Sequence, residues 1–146
     1  MAEYITHCEQ ETEELGARFA RSLPVSGSVV IAMYGDLAAG KTAFVRGMAR
    51  GLELNAHVSS PTFTIVNEYP GKRELIHFDM YRLSSSDELF DIGWEDYLAR
   101  GAVCVVEWSE NVSDAFFGDE IKITIEKIGD CSRRITIDSF SGGTVC

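Results

Sequence analysis

Basic residues are scarce in this chain: 13 Lys and Arg stand against 23 Asp and Glu, a formal net charge of −10 over 146 residues. Binding a phosphate backbone unaided needs clustered Lys and Arg, so this balance argues against direct contact with nucleic acid. It leaves open steering toward a basic protein partner, or solubility alone. Long apolar runs are missing too, the longest being far too short to cross a bilayer. Cysteine is limited to Cys8, Cys104, Cys131 and Cys146, with no C-x-x-C pair, and Cys104 lies inside an apolar run. Reduced thiols are expected. Neither metal-ligand spacing nor a cysteine-nucleophile arrangement emerges, because His7, His57 and His77 are also dispersed. Met1 to His7 carry no basic region followed by an apolar stretch, so the expectation is no export signal and a cytoplasmic protein. Repeats and low-complexity segments are absent, and the length suits one domain, 1–146, that buries its core without metal or disulfide staples.

What the chain does contain is a phosphate-binding pattern. Gly35-Asp36-Leu37-Ala38-Ala39-Gly40-Lys41-Thr42 matches G-x-x-x-x-G-K-[ST] at each fixed position. Backbone N–H groups of such a loop cradle phosphates, its lysine (Lys41) reaches the β- and γ-phosphates, and its hydroxyl (Thr42) binds Mg²⁺. A chance match in a chain this long has odds on the order of one in two hundred, so the flanking pattern decides. Before the loop, Val29 to Tyr34 is a continuous apolar run rich in β-branched residues, the signature of a parallel strand covered on both faces. After it, Phe44, Val45, Met48 and Leu52 recur at helical spacing, with Gly51 as the stop. Strand, loop and helix in that order set a helix N-terminus against the phosphates. The competing reading is a glycine-rich turn with a solvated lysine.

Elsewhere, Leu15, Phe19 and Leu23 predict an amphipathic helix over about residues 9 to 22, ended by Pro24. Thr62 to Tyr69 reads as a strand that stops at Pro70-Gly71 and forms a hairpin with Leu75 to Phe78, which ends at Asp79. Ser84 to Leu98 is helical in character, with Ser86 as a cap and Gly93 dividing it in two. Ala102 to Val106 is a second fully buried strand, ending at Glu107. Ile121, Ile123 and Ile125, then Ile135 and Ile137, alternate on either side of Gly129-Asp130 and predict an antiparallel hairpin with one solvated face; Ser141 to Cys146 are expected to be loosely held. The class is α/β: a mostly parallel sheet of the P-loop nucleotide-hydrolase type flanked by helices, with an antiparallel C-terminal hairpin.

Ligands of open α/β sheets bind at the carboxyl ends of the parallel strands. Three apolar strands here end in polar chemistry, at the phosphate loop, at Asp79 and at Glu107, so both carboxylates are expected to face the phosphates. Either fits a Mg²⁺ ligand, and either fits the group that orients attacking water. The plainer alternative for each is a helix cap or an ion pair with Arg82. Ser60-Pro61-Thr62-Phe63 lies where a γ-phosphate-sensing switch would lie, with the Thr62 hydroxyl as the sensor, or else as a rigid turn into the strand. Trp108, after Glu107, suits stacking or partner contact at the site rim as well as it suits core packing; Trp94 reads as a core anchor.

In these motifs the chain resembles the TsaE (formerly YjeE) family of small bacterial P-loop ATPases. The resemblance rests on Gly35-Asp36-Leu37 running into Gly40-Lys41-Thr42, on Ser60-Pro61-Thr62-Phe63, on His77-Phe78-Asp79-Met80-Tyr81-Arg82-Leu83 and on Val106-Glu107-Trp108, in the family's order. It implies an ATPase serving a complex of TsaD, which transfers a threonylcarbamoyl group to an adenosine of tRNAs reading ANN codons, and TsaB. The family role is resetting or regulating TsaD between cycles. The resemblance further implies that Lys41 holds the phosphates, Thr42 and Glu107 hold Mg²⁺, Asp79 serves the metal or the attacking water, Thr62 is the switch and Trp108 belongs to the rim. Thr12 and Arg133 would flank the adenine or ribose, with Arg134 competing for the second place. One departure is Ala38, where the family commonly has glycine; at a position needing φ > 0 alanine carries a steric penalty, and nucleotide affinity would fall.

Three other functions compete with this one. A small-molecule kinase needs a second substrate pocket and usually an arginine-bearing lid, and no arginine-rich insertion follows the 84 to 98 region. A GTP-dependent switch needs N-K-x-D, and Asn111-Val112-Ser113-Asp114 lacks the lysine. A binding module would hold nucleotide without turnover.

Overall fold

The computed structural model describes residues 2–24, 27–35, 40–54, 66–80, 86–107 and 120–139. Along these the chain runs β1 (Ala2–Thr6), α1 (Glu9–Arg21), β2 (Val29–Tyr34), α2 (Lys41–Gly51), β3 (Val66–Tyr69), β4 (Leu75–Asp79), α3 (Ser86–Asp91), α4 (Trp94–Ala99), β5 (Val103–Glu107), β6 (Ile121–Lys127) and β7 (Arg133–Ser139). The strands form one sheet in the order β1-β7-β6-β2-β5-β4-β3. Its centre is parallel: β2 pairs with β5 and β6, and β5 with β4. Antiparallel partners close both sides, β3 on β4 and the β6–β7–β1 ribbon.

Because successive strand side chains alternate between faces, each central strand contributes to two cores. Val29, Ile31 and Met33, with Val103 and Val105, pack on one face with Leu15 of α1 and Phe44, Val45 and Met48 of α2. Ile76, Phe78, Cys104 and Val106 face the other way, against Leu89 of α3 and Trp94 of α4. Phe78 meets Trp94 and Tyr97 edge-on, at centroid distances of 5.1 and 5.2 Å. β4 and β5 are buried at every position, as strands covered on both faces must be.

The predicted division of the 84 to 98 region occurs at Gly93, which has φ 96° and caps α4. α2 ends at Gly51, the expected stop, with the positive φ that follows falling at Glu53 (61°). Gly51 is also a packing residue: a Cβ there would lie 2.4 Å from the Ala17 carbonyl oxygen. Gly47, one turn earlier, would set a Cβ 1.9 Å from the Glu13 oxygen, so the two helices touch backbone to backbone. Outside this seam, Arg46 and Arg50 pair with Glu9, Glu13 and Glu14.

β1 was not foreseen. It is a short edge strand with three exposed residues, and its register, from Ala2 opposite Ile137 to Thr6 opposite Arg133, depends on chain more than a hundred residues away. The predicted C-terminal hairpin is present as β6–β7, and β6 also joins the parallel set through β2. Of the strand predicted from Thr62, the part from Val66 is β3; residues 62–65 and the C-terminal 141–146 lie outside the described residues.

Candidate functional site

The carboxyl ends of β2, β5 and β4 lie side by side, and the chemistry-bearing residues collect there. Asp79 is registered opposite Glu107, and Glu107 opposite Met33 at the end of β2. Strand parity adds a further consequence. Leu75, His77 and Asp79 share one face, as do Val103, Val105 and Glu107, and this is the face covered by α1 and α2. The two carboxylates and His77 are therefore on the side where α2 begins.

Gly40 caps α2 in the left-handed region, φ 102° and ψ 15°, a conformation in which glycine avoids the penalty other residues meet. Gly35, at the other end of the matched pattern, has φ 149°. Lys41, the first residue of α2, is 5 % exposed, and its Nζ donates to the Gly35 carbonyl at 2.7 Å. The same Nζ lies 3.7 Å from Glu107 Oε1. Thr42 follows on the helix, half-buried. Glu107 and Asp79 are 4 % and 6 % exposed, and His77 is wholly buried with Nε2 in contact with Glu107 Oε2. Taking a charge out of water costs several kcal/mol unless a partner compensates, so a buried ammonium and carboxylate in this arrangement hold each other in place.

Thr12 and Arg133 reach the same place from elsewhere in the chain. An ideal Cβ on Gly40 would lie 3.6 Å from Arg133 Nε and 4.0 Å from Thr12 Cγ2, so both flank the turn into α2. Thr12 is buried and shares a 2.8 Å hydroxyl hydrogen bond with Thr6, which is registered opposite Arg133. Arg134 goes elsewhere, pairing with Glu3 and Glu126 at 3.9 Å each. Of the two arginines, Arg133 is therefore the one beside the turn into α2.

Asp36, Leu37, Ala38 and Ala39, the Ser60 to Phe63 segment with Thr62, and Arg82 and Trp108 lie outside the described residues. His77 is the site residue that sequence reasoning missed: it stood among three dispersed histidines and was given no role. Its usable signal was parity, since it lies two residues before Asp79 in a strand whose alternate positions are apolar.

Chemically, the cluster offers a lysine and a helix N-terminus for an anion, with the Thr42 hydroxyl and two carboxylates as hard oxygen donors for a cation. Among the described residues no three His, Cys, Asp or Glu side chains gather into a cage for a metal by themselves. A cation here would share its remaining ligands with the anion and with water, the habit of Mg²⁺ beside phosphates.

Residues 6–135 match the protein family described as Threonylcarbamoyl adenosine biosynthesis protein TsaE. The chain is 39 % identical over 133 residues to the tRNA threonylcarbamoyladenosine biosynthesis protein TsaE of Treponema pallidum, covering 91 % of this chain and 97 % of that one. With its namesake from Aquifex aeolicus it shares 35 % identity over 140 residues, 94 % of this chain and 96 % of the relative. The crystal structure of Bacillus subtilis YdiB superimposes with a TM-score of 0.80 at 30 % identity, over 96 % of this chain and 86 % of that one.

Proposed function

This chain belongs to the TsaE family of tRNA threonylcarbamoyladenosine biosynthesis, and on that premise we propose that it binds ATP with Mg²⁺ and hydrolyses it slowly in support of the TsaD–TsaB complex. What carries the reading is one observation: buried Lys41, opening α2, faces buried Glu107 at the end of the neighbouring strand, 3.7 Å away. In this reading Lys41 and the segment Gly35 to Thr42 hold the phosphates. Thr42 and Glu107 hold Mg²⁺, and Asp79 takes the metal or the attacking water. Thr12 and Arg133, flanking Gly40, contact the adenine or ribose. Thr62 is the switch and Trp108 the rim of the site.

Bound Mg²⁺ would neutralise phosphate charge and hold the phosphate oxygens in place. The chain's own groups lower the barrier by position and electrostatics: Lys41 stabilises charge gathering on the transferred phosphoryl group, and a carboxylate orients water in line with it. Docking on TsaD–TsaB in the cytoplasm completes the site, as activating partners do for other P-loop hydrolases, so tRNA is reached only through the complex. A net charge of −10 suits a protein partner better than direct contact with tRNA.

The test is ATP hydrolysis by the chain alone and with TsaD–TsaB, for wild type, Lys41→Ala and Glu107→Ala. Partner-stimulated turnover in the wild type, lost in both variants, is the expected result. Turnover indifferent to the partners, or retained without Lys41, refutes the reading; ATP-dependent phosphorylation of a nucleoside would replace it with a kinase.

A further inference from the structure

We propose that His77 is a positioning residue for Glu107, holding carboxylate oxygen Oε2 through Nε2 so that Oε1 is presented to the site. This rests on the reading of the site as one for ATP hydrolysis. A histidine in the middle of β4 calls for an explanation, because Ile76 and Phe78 beside it are wholly buried and the strand is covered on both faces. A buried imidazole is costly unless hydrogen-bonded, and an aliphatic side chain would fill the same place without that cost. The partner is Glu107. His77 is registered opposite Val105, so on the shared face it is the diagonal neighbour of Glu107, within reach of a long side chain.

The bond is directional in its consequences. Facing a carboxylate, which only accepts, Nε2 donates, so a proton is assigned to that nitrogen. Nδ1 is buried and has no hydrogen-bond partner among the described residues, where Glu107 is the polar contact of the ring. Glu107 has several rotatable bonds, and fixing one oxygen removes most of that freedom before substrate arrives. Its two oxygens are thereby divided: Oε2 is committed to His77, and Oε1 lies on the Lys41 side, 3.7 Å from Nζ.

The experiment compares His77→Leu, which keeps bulk without a donor, with His77→Gln, whose amide N–H can replace the donor. Three readings are taken for each: ATP turnover with TsaD–TsaB, affinity for a fluorescent ATP analogue, and thermal midpoint. The expected result for His77→Leu is a fall in kcat of about 10- to 100-fold with analogue affinity held within about threefold, and substantial recovery in His77→Gln. An equal loss of kcat in both variants, or a loss that follows affinity or the thermal midpoint, overturns the proposal. Nitrogen NMR of the imidazole provides a readout that needs no turnover. The wild type should show a proton on Nε2, with ring signals that move in Glu107→Gln. Unmoved signals refute the contact whatever the turnover; moved signals from an inactive wild type uphold the contact and refute the ATPase reading instead.

Discussion

The two ends of the parallel strands use the same kinds of residue to opposite effect. At the carboxyl end, Lys41, Asp79 and Glu107 are almost wholly buried beside His77. At the amino end, Arg100 joins Glu68 and Glu74 in ion pairs whose side chains are between 27 % and 42 % exposed, with the guanidinium 4.8 Å from the Tyr97 ring centroid. Arg73 donates there to the Gly27 and Gly101 carbonyls, tying together the chain entering β2 and β5. The Glu68 hydrogen bond holds the Arg100 guanidinium above its usual range, and burial, with Glu68 beside it, pushes the Tyr97 phenol up. Water screens the amino-end charges, so their pairing is worth little and disturbs little. Charges at the carboxyl end are expensive to hold, and Lys41 and Glu107 are kept close to their positions by each other, the condition under which electrostatics can do chemistry.

Matched substitutions put that contrast to the test. The largest expected effect is on turnover: Lys41→Met and Glu107→Gln should each lower partner-stimulated phosphate release by about two to three orders of magnitude, while Arg100→Met and Glu68→Gln leave it within about twofold. Equal losses at both ends would abolish the distinction. Next comes the seam that sets α2 against α1. Gly47→Ala forces a methyl into the Glu13 carbonyl and should cost about 3 kcal/mol, read as a lower urea midpoint.

A smaller loss is expected at the amino end, where Arg73→Met removes charge-assisted bonds to two carbonyls; unfolding curves should show about 1 to 2 kcal/mol. Arg100→Met should cost under about 1 kcal/mol, and 1 M salt should shrink the difference, since exposed pairs are screened. The smallest response belongs to Cys104, between the two ends. Burial disfavours its thiolate and pushes the thiol up to about 12, so at pH 8 it stays protonated and unreactive. Iodoacetamide followed by mass spectrometry should label exposed Cys131 and spare Cys104 until the fold opens.

Much of this was legible along the chain. Largely buried β2 and fully buried β5 are continuous apolar runs, α1 and α2 carry their apolar residues at helical spacing, and Gly93 breaks the third helical region where it was expected to. Lys41, Asp79 and Glu107 were readable because strand ends in an α/β sheet converge whatever the detail. The edge strand β1 was not readable: five residues, three of them exposed, carry too little pattern, and their partner β7 lies at the far end of the sequence. Gly51 was readable as the end of α2 but not as a packing residue, because a glycine near a helix end looks the same locally whether or not it also admits another backbone. Its role depends on α1, which no window around residue 51 contains.

Local spacing, then, specified the secondary elements, the class of sheet and the residue types at the strand ends, because periodicity and turn chemistry act over a few residues and are written there directly. Strand order, register and helix docking belonged to the assembled molecule. They place Arg133 beside Gly40 and send Arg134 to Glu3 and Glu126, and they join His77 to Glu107 across two strands. Such pairings are decided by burial summed over the whole core, in which each segment's partner is set by segments far from it in sequence.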